Sequence, residues 1–388
     1  MIIDVDSHWE VGHFAPGEHP FEPWLDRLPD GIGRLANGIA GDLLNALPES
    51  DRPSARELLP GLVRMAEQRG GPVILHPEHD ATSGERVAWM DTVGIDHCLV
   101  NPGGYWQMLE FIGSDRPAGV RRCNDFLTEQ LSDHQDRLHA VAVVDFEDLD
   151  AAVVELERAR SRGARAFYLY TVDGRPPSGR SPGHPDWDKV WSAAVRLGMV
   201  SVIHVGNTRT DFTGWADIGW NQPGSAGVGG LVRLANTQRA HAAQNLLSAM
   251  LYGGVFARHP ELTVLFEELR VNWIPVFLAT LERQSLSSPA LGDWPYEVSG
   301  GDMLRKAVRV TPLIGFGDDE ALDLAAEYPG MAVFSSDYPH HEGNADPINL
   351  FGDGLDRLEP EARDLFMGAS MVECFARTGD PLPDTQVA

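Results

Sequence analysis

Apolar residues along the chain gather into eight short runs rich in β-branched or apolar side chains, and most runs are followed by a stretch with helical spacing. The runs predict strands over Ile2–His8, His97–Pro102, Leu138–Phe146, Ala164–Thr171, Met199–Gly206, Leu262–Leu269, Val308–Ile314 and Met331–Asp337. Between them the spacing predicts helices over Ala151–Arg162, Asp186–Leu197, Leu234–Arg258, Ile274–Gln284, Asp319–Glu327 and Glu361–Arg377. Eight strand–helix units suit a closed parallel cylinder, so the expected fold is α/β, a (β/α)8 barrel of the TIM type. Such a barrel needs about 250 residues, and a chain of 388 leaves room for insertions in one domain spanning 1–388.

Two stretches fall outside the repeat. Residues 10–82 are rich in Pro, Gly and His with only short helical patches such as Ser54–Gln68, and they read as an insertion after the first strand. Residues 207–233 are glycine-rich, carry Trp215 and Trp220, and have little periodicity. A loop of that length inside a compact domain is usually functional or disordered. Following the fifth strand, it is expected over the C-terminal mouth, where barrel enzymes place their chemistry.

Charge narrows the partners. The chain has 31 basic and 57 acidic residues, a net charge of −26, which repels nucleic acid and anionic membrane. No window reaches the ~18 apolar residues of a membrane span. The start Met1-Ile2-Ile3-Asp4 has carboxylates where a signal peptide needs a basic stretch and an apolar run. Cys98, Cys123 and Cys374 have no CxxC spacing and read as reduced core residues. A soluble cytoplasmic protein acting on a small molecule is expected, with no nucleic-acid or membrane partner.

The first predicted strand ends Asp4-Val5-Asp6-Ser7-His8, and alternation along a strand puts Asp4, Asp6 and His8 on one face, into the barrel. An isolated Asp-x-His triplet more often caps a loop. Here His204 closes the fifth strand and Asp337 the eighth, so three strand ends carry ligand-type residues at one rim. Imidazole and carboxylate together suit Zn²⁺ or Mn²⁺, with a coordination position left open. One divalent ion held by Asp6, His8, His204 and Asp337 is expected.

Asp6-Ser7-His8, His204-Val205-Gly206, the segment Gly254-Val-Phe-Ala-Arg-His-Pro260 and Ser336-Asp337-Tyr338-Pro339-His340 together resemble the amidohydrolase-related family. That family includes the aminocarboxymuconate-semialdehyde decarboxylase group. The resemblance runs nearly end to end, 10–82 and 207–233 excepted. It implies a β/α barrel with a mononuclear site, the residues above acting as ligands or as a metal-linked base, and a homodimer. Two-metal relatives bridge their ions with a carboxylated lysine on the fourth strand. Here Ala164–Thr171 has no lysine, and the chain's two lysines, Lys189 and Lys306, fall inside a helix and before the seventh strand.

This chain departs from the group's pattern at the sixth strand. Decarboxylases of the group commonly end that strand with a histidine, whereas Leu265-Phe266-Glu267-Glu268-Leu269-Arg270 has none. Glu268 occupies the neighbourhood, either as a carboxylic acid that exchanges a proton near the metal or as a partner of Arg270 or Arg165. The first-strand Asp6 resembles members with Glu-x-His or Asp-x-His. Trp9, Trp215, Trp220 and Asn207 are candidates to line an aromatic pocket, and His340, His341 and His241 to touch substrate or to be merely exposed. The favoured expectation is non-oxidative decarboxylation of a small aromatic or unsaturated carboxylic acid, with Asp337 and Glu268 handling protons. Metal-water hydrolysis of an amide, lactone or ester is the alternative, and an inactive binding barrel the third.

Overall fold

The computed structural model describes residues 1–9, 82–102, 112–169, 176–205, 237–314, 318–340 and 343–383, with 23, 24, 109, 224 and 234. The expected insertion over 10–82 and loop over 207–233 lie outside the described residues apart from residues 23, 24, 82 and 224. Seven strands, β1 (Ile3–His8), β2 (His97–Asn101), β3 (Leu138–Ala142), β4 (Ala166–Tyr168), β5 (Val200–His204), β6 (Val264–Glu267) and β7 (Val308–Val310), form one parallel sheet in chain order.

Each strand is shorter than its apolar run, because burial continues after the ladder stops. At β3 the reason is a side chain: Asn124 Oδ1 accepts from the Val143 amide at 2.8 Å and Asn124 Nδ2 donates to the Val143 carbonyl at 2.8 Å, which takes that residue out of the sheet. The eighth predicted strand, Met331–Asp337, forms no ladder and makes single bridges instead, Val310 with Ala332 and Ser7 with Tyr338. Its amides still reach both sheet edges, Val333 N to Val310 O at 3.0 Å on β7, and Asp337 N to Asp6 O at 2.8 Å on β1. Asp337 itself sits at φ 52°, which breaks extended geometry at that end.

Alternate strand positions divide between two apolar clusters, as a period of two requires. Val5, Leu99, Val141, Val202, Leu265 and Val333 share one with Met371 and Phe375. Cys98, Val100, Ala140, Phe167, Ile203, Val264 and Phe266 join helix residues such as Leu156, Trp191 and Leu247 in the other. The helix expected over Leu234–Arg258 is divided into His241–Tyr252 and Val255–Arg258, the break falling at Gly254, φ 78°. That conformation favours glycine. Among the described residues no helix is long and apolar enough to cross a membrane.

Parallel strands end on one common edge, and this edge positions the chemistry. His8, Asn101, His204 and Glu267 are the last residues of β1, β2, β5 and β6. Register sets His8 beside Asn101 and His204 beside Glu267.

Candidate metal centre

The first strand does not keep its alternation. Asp4 pairs with Cys98 but Ser7 with Val100, so three steps along β1 match two along β2, an irregularity of the bulge type. Asp4, expected on one face with Asp6 and His8, is separated from them by that irregularity. Its Oδ2 instead accepts from Ser336 Oγ at 2.6 Å and its Oδ1 from the Ser336 amide at 2.9 Å, with Cys98 Sγ at 3.7 Å. Burial pushes the Asp4 carboxyl up to about 7 despite those donors.

Asp6 and His8 meet the residues from distant strands. His8 Nε2 lies 3.2 Å from Asp6 Oδ1 and 3.2 Å from Asp337 Oδ1. His204 Nε2 lies 3.6 Å from Asp6 Oδ1 and 3.4 Å from Glu268 Oε2. His340 stacks on His8 with ring centroids 3.8 Å apart, and its Nδ1 lies 2.9 Å from Asp337 Oδ1. One ligand atom each from Asp6, His8 and His204 lies within 4.8 Å of the others, and the same holds for His8, Glu268, Asp337 and His340. His204 Nδ1 is 2.6 Å from the Val205 carbonyl, which can only accept, so that nitrogen carries a proton and Nε2 is the one that faces the carboxylates.

Four buried carboxyl groups, on Asp6, Glu267, Glu268 and Asp337, face this centre. Burial raises Glu267 and Glu268 well above the usual carboxylate range, and the charge of Asp6 on the first and of Asp337 on the second adds to it. Burial also acts on Asp6 and Asp337, but the attraction of His204 and His8 for one, and of His340 and His8 for the other, outweighs it and holds both low. His204 is pushed up to about 10: burial pulls it down, and Glu268, Asp6 and Glu267 more than reverse that. The centre thus has an excess of negative charge that draws a proton onto its own histidine. A divalent cation answers the same excess and displaces that proton. Among the described residues Asp6 Oδ2, Asp337 Oδ2, Glu268 Oε1 and both ring nitrogens of His8 are buried without an aligned hydrogen bond, which fits a cation bound there.

The other sequence candidates are dispersed. Glu268 faces the centre, while Arg165, weighed as its partner, bonds Asp380 at 2.8 Å instead. Trp9 is fully buried in the larger apolar cluster, with the Arg86 guanidinium 5.4 Å over its ring, so it packs and presents no surface to an opening. His241 is exposed at the start of helix His241–Tyr252, on the wall of a cavity also lined by Leu269 and Arg270. Asn207, Trp215, Trp220 and His341 lie outside the described residues.

Three residues that sequence reasoning passed over contact the centre. Asn101 Nδ2 donates to Asp6 Oδ1 at 3.0 Å and to Glu267 Oε2 at 2.9 Å, joining two carboxyl groups. Arg86, buried, donates from Nη2 to the His8 carbonyl at 2.7 Å and from Nη1 to Ser7 Oγ at 3.1 Å. Polar residues ending β2 and β6 on the His8 and His204 rim were the available signal for Asn101 and Glu267.

A family model described as amidohydrolase matches residues 108–368. Among solved structures, an amidohydrolase from Mycobacterium avium subsp. paratuberculosis K-10 is similar at 19% identity, TM-score 0.61, over 96% of this chain and 98% of that one. The 5-carboxyvanillate decarboxylase of Sphingomonas paucimobilis is similar at 18% identity, TM-score 0.62, over 97% and 99%. A dihydroxybenzoic acid decarboxylase from Polaromonas sp. JS666, solved with manganese and 2-nitroresorcinol, is similar at 17% identity, TM-score 0.58, over 97% and 96%. At such identities the likeness is one of fold.

Proposed function

The chain belongs to the amidohydrolase family, and from that membership we propose a mononuclear metal-dependent enzyme that removes CO₂ without oxidation from a small aromatic carboxylic acid. The observation that carries the reaction type is the Glu268–Asp337 pair, two buried carboxyl groups driven in opposite directions. Environments that push two such groups apart assign acid and base. Burial and the charge of Asp337 favour the protonated form of Glu268, and decarboxylation needs a donor where hydrolysis needs a base.

Asp6, His8, His204 and Asp337 would hold one Zn²⁺ or Mn²⁺. That ion would supply a Lewis acid to anchor the substrate carboxylate. Glu268 would deliver its proton to the ring carbon as the bond to the carboxyl group breaks, the bonding pair staying on carbon to receive it. CO₂ leaves, and the Glu268 carboxylate takes its next proton from water. His204, fixed by the Val205 carbonyl, keeps one tautomer throughout. The hydrogen bonds from Val333 to β7 and from Asp337 to β1 support a closed (β/α)8 barrel. Asp337, held ionised, favours a second reading: hydrolysis of an amide, lactone or ester with Asp337 as base.

Manganese-loaded protein incubated with carboxylated phenols is expected to release CO₂, and Glu268→Gln to slow release by about 10²–10⁴-fold. Oxygen from isotopically labelled water entering amides or lactones, with no CO₂ from any phenol, contradicts the decarboxylase reading.

A further inference from the structure

His340 is the outermost of three neighbouring side chains at the metal centre: it is 17% exposed, against 2% for His8 and 0% for Asp337. A short turn puts it there. The His340 amide donates to the Asp337 carbonyl at 2.9 Å, returning the chain so that residues 337 and 340 meet. The Gly343 amide donates to the His340 carbonyl at 3.0 Å and the Asn344 amide to the Ser336 carbonyl at 3.0 Å, which ties the turn from its other end. Tyr338, inside the turn, stacks on Trp89 with ring centroids 4.0 Å apart.

Two of the expected ligands depend on the His340 ring. Its Nδ1 lies 2.9 Å from Asp337 Oδ1, and a metal-bound carboxylate can only accept, so Nδ1 is the donor. That bond engages one carboxylate oxygen. The other, Oδ2, is buried without a hydrogen-bond partner among the described residues. His8 has a different need. A metal-ligating histidine ordinarily has its ring set by a hydrogen bond at the second nitrogen, and among the described residues neither His8 nitrogen has an aligned one. Packing sets the ring instead: His340 stacks on it with 3.8 Å between centroids and 29° between planes, and His204 meets it edge-on at 5.1 Å and 85°.

We propose that His340 is a positioning residue for the metal ion: its Nδ1 hydrogen bond reserves Asp337 Oδ1, so that Asp337 binds the ion through Oδ2 alone, and its ring fixes the plane of His8. The role rests on the metal-centre reading and not on which reaction the centre performs.

The test is manganese titration into stripped protein, unaltered and as His340→Ala, His340→Asn and His340→Gln, together with the visible spectra of the cobalt-loaded forms. His340→Ala should weaken manganese binding about 10–100-fold, the usual effect of removing a hydrogen-bond partner from a metal ligand. With Oδ1 released, Asp337 can chelate through both oxygens, so the cobalt bands of His340→Ala should weaken as the ion gains a ligand atom. In His340→Asn the amide nitrogen falls near the place of Nδ1, and most of the affinity and the spectrum should return. In His340→Gln it reaches one carbon farther, toward the place of Nε2, and they should not. Recovery in His340→Gln but not in His340→Asn makes His340 a ligand itself and overturns the proposal. Equal affinities and spectra in all four proteins, with manganese bound, overturn it and leave the metal centre standing. No bound manganese in the unaltered protein overturns the centre and this role together. Should His340→Ala fail to fold, the order of His340→Asn and His340→Gln decides.

Discussion

Replacing Asn101 by alanine removes a side-chain amide that joins Asp6 to Glu267. Asp6 is held low and accepts as a carboxylate, so that bond is worth about 1.5–3 kcal/mol. Burial drives Glu267 toward its neutral form, and a bond to a neutral acceptor is worth about 1 kcal/mol. Loss of both predicts roughly 3 kcal/mol less stability, a large share of the ~5–15 kcal/mol typical of a folded protein. Urea unfolding of metal-stripped protein, followed by tryptophan fluorescence, reads this as a lower midpoint at unchanged slope. Because Asp6 also loses its orientation, manganese affinity should fall by about 10–100-fold. A stability change within ~0.5 kcal/mol, the range of ordinary surface substitutions, together with unchanged manganese affinity would refute the reasoning.

Two further outcomes follow from contacts away from Asn101. A Cβ on Gly343 would stand 2.2 Å from the Asp337 carbonyl oxygen and 2.8 Å from that of Ser336, both backbone, so Gly343→Ala must displace the Asp337 turn. A loss of about 1–3 kcal/mol in thermal unfolding and weaker manganese binding are expected, and an unshifted melting temperature contradicts this. At the start of β2 and β3, His97 Nδ1 lies 3.0 Å from His139 Nε2, and His97 Nε2 lies 3.1 Å from the Pro383 carbonyl. Burial holds both rings below the ordinary histidine value of 6.5. Below that pH the unfolded chain binds more protons than the folded one, so this contribution to stability is full above pH 6.5 and fades as the pH falls. His139→Gln should therefore flatten the acid-side slope of stability by about 1.4 kcal/mol per pH unit. An unchanged slope in urea unfolding across a pH series contradicts it.

The order of elements was legible because hydrophobic runs and helical spacing are averaged over many residues, and seven of the expected strands lie where the runs put them. The meeting of Asp6, His8 and His204 was legible because parallel strands share an edge, and Asp337, 3.2 Å from His8, groups instead with His8, Glu268 and His340. Which side chains look into that edge was less so. The irregularity between Asp4 and Ser7 depends on how β1 pairs with β2, which no alternation in β1 alone reveals. Asn101 before Pro102, and two successive glutamates at the end of β6, look ordinary until register sets them beside His8 and His204. Trp9 misled for the opposite reason. A tryptophan after a strand end suits a pocket wall and a core equally, and the buried Arg86 guanidinium over its ring decided for the core.

The most direct measurement is metal content and affinity: manganese titrated into stripped protein, with bound ion counted by mass spectrometry after desalting. One ion per chain is predicted, with at least a several-fold loss of bound metal in His204→Ala. No bound ion in the unaltered protein, or the same stoichiometry and affinity without the His204 imidazole, would contradict a metal centre at this rim.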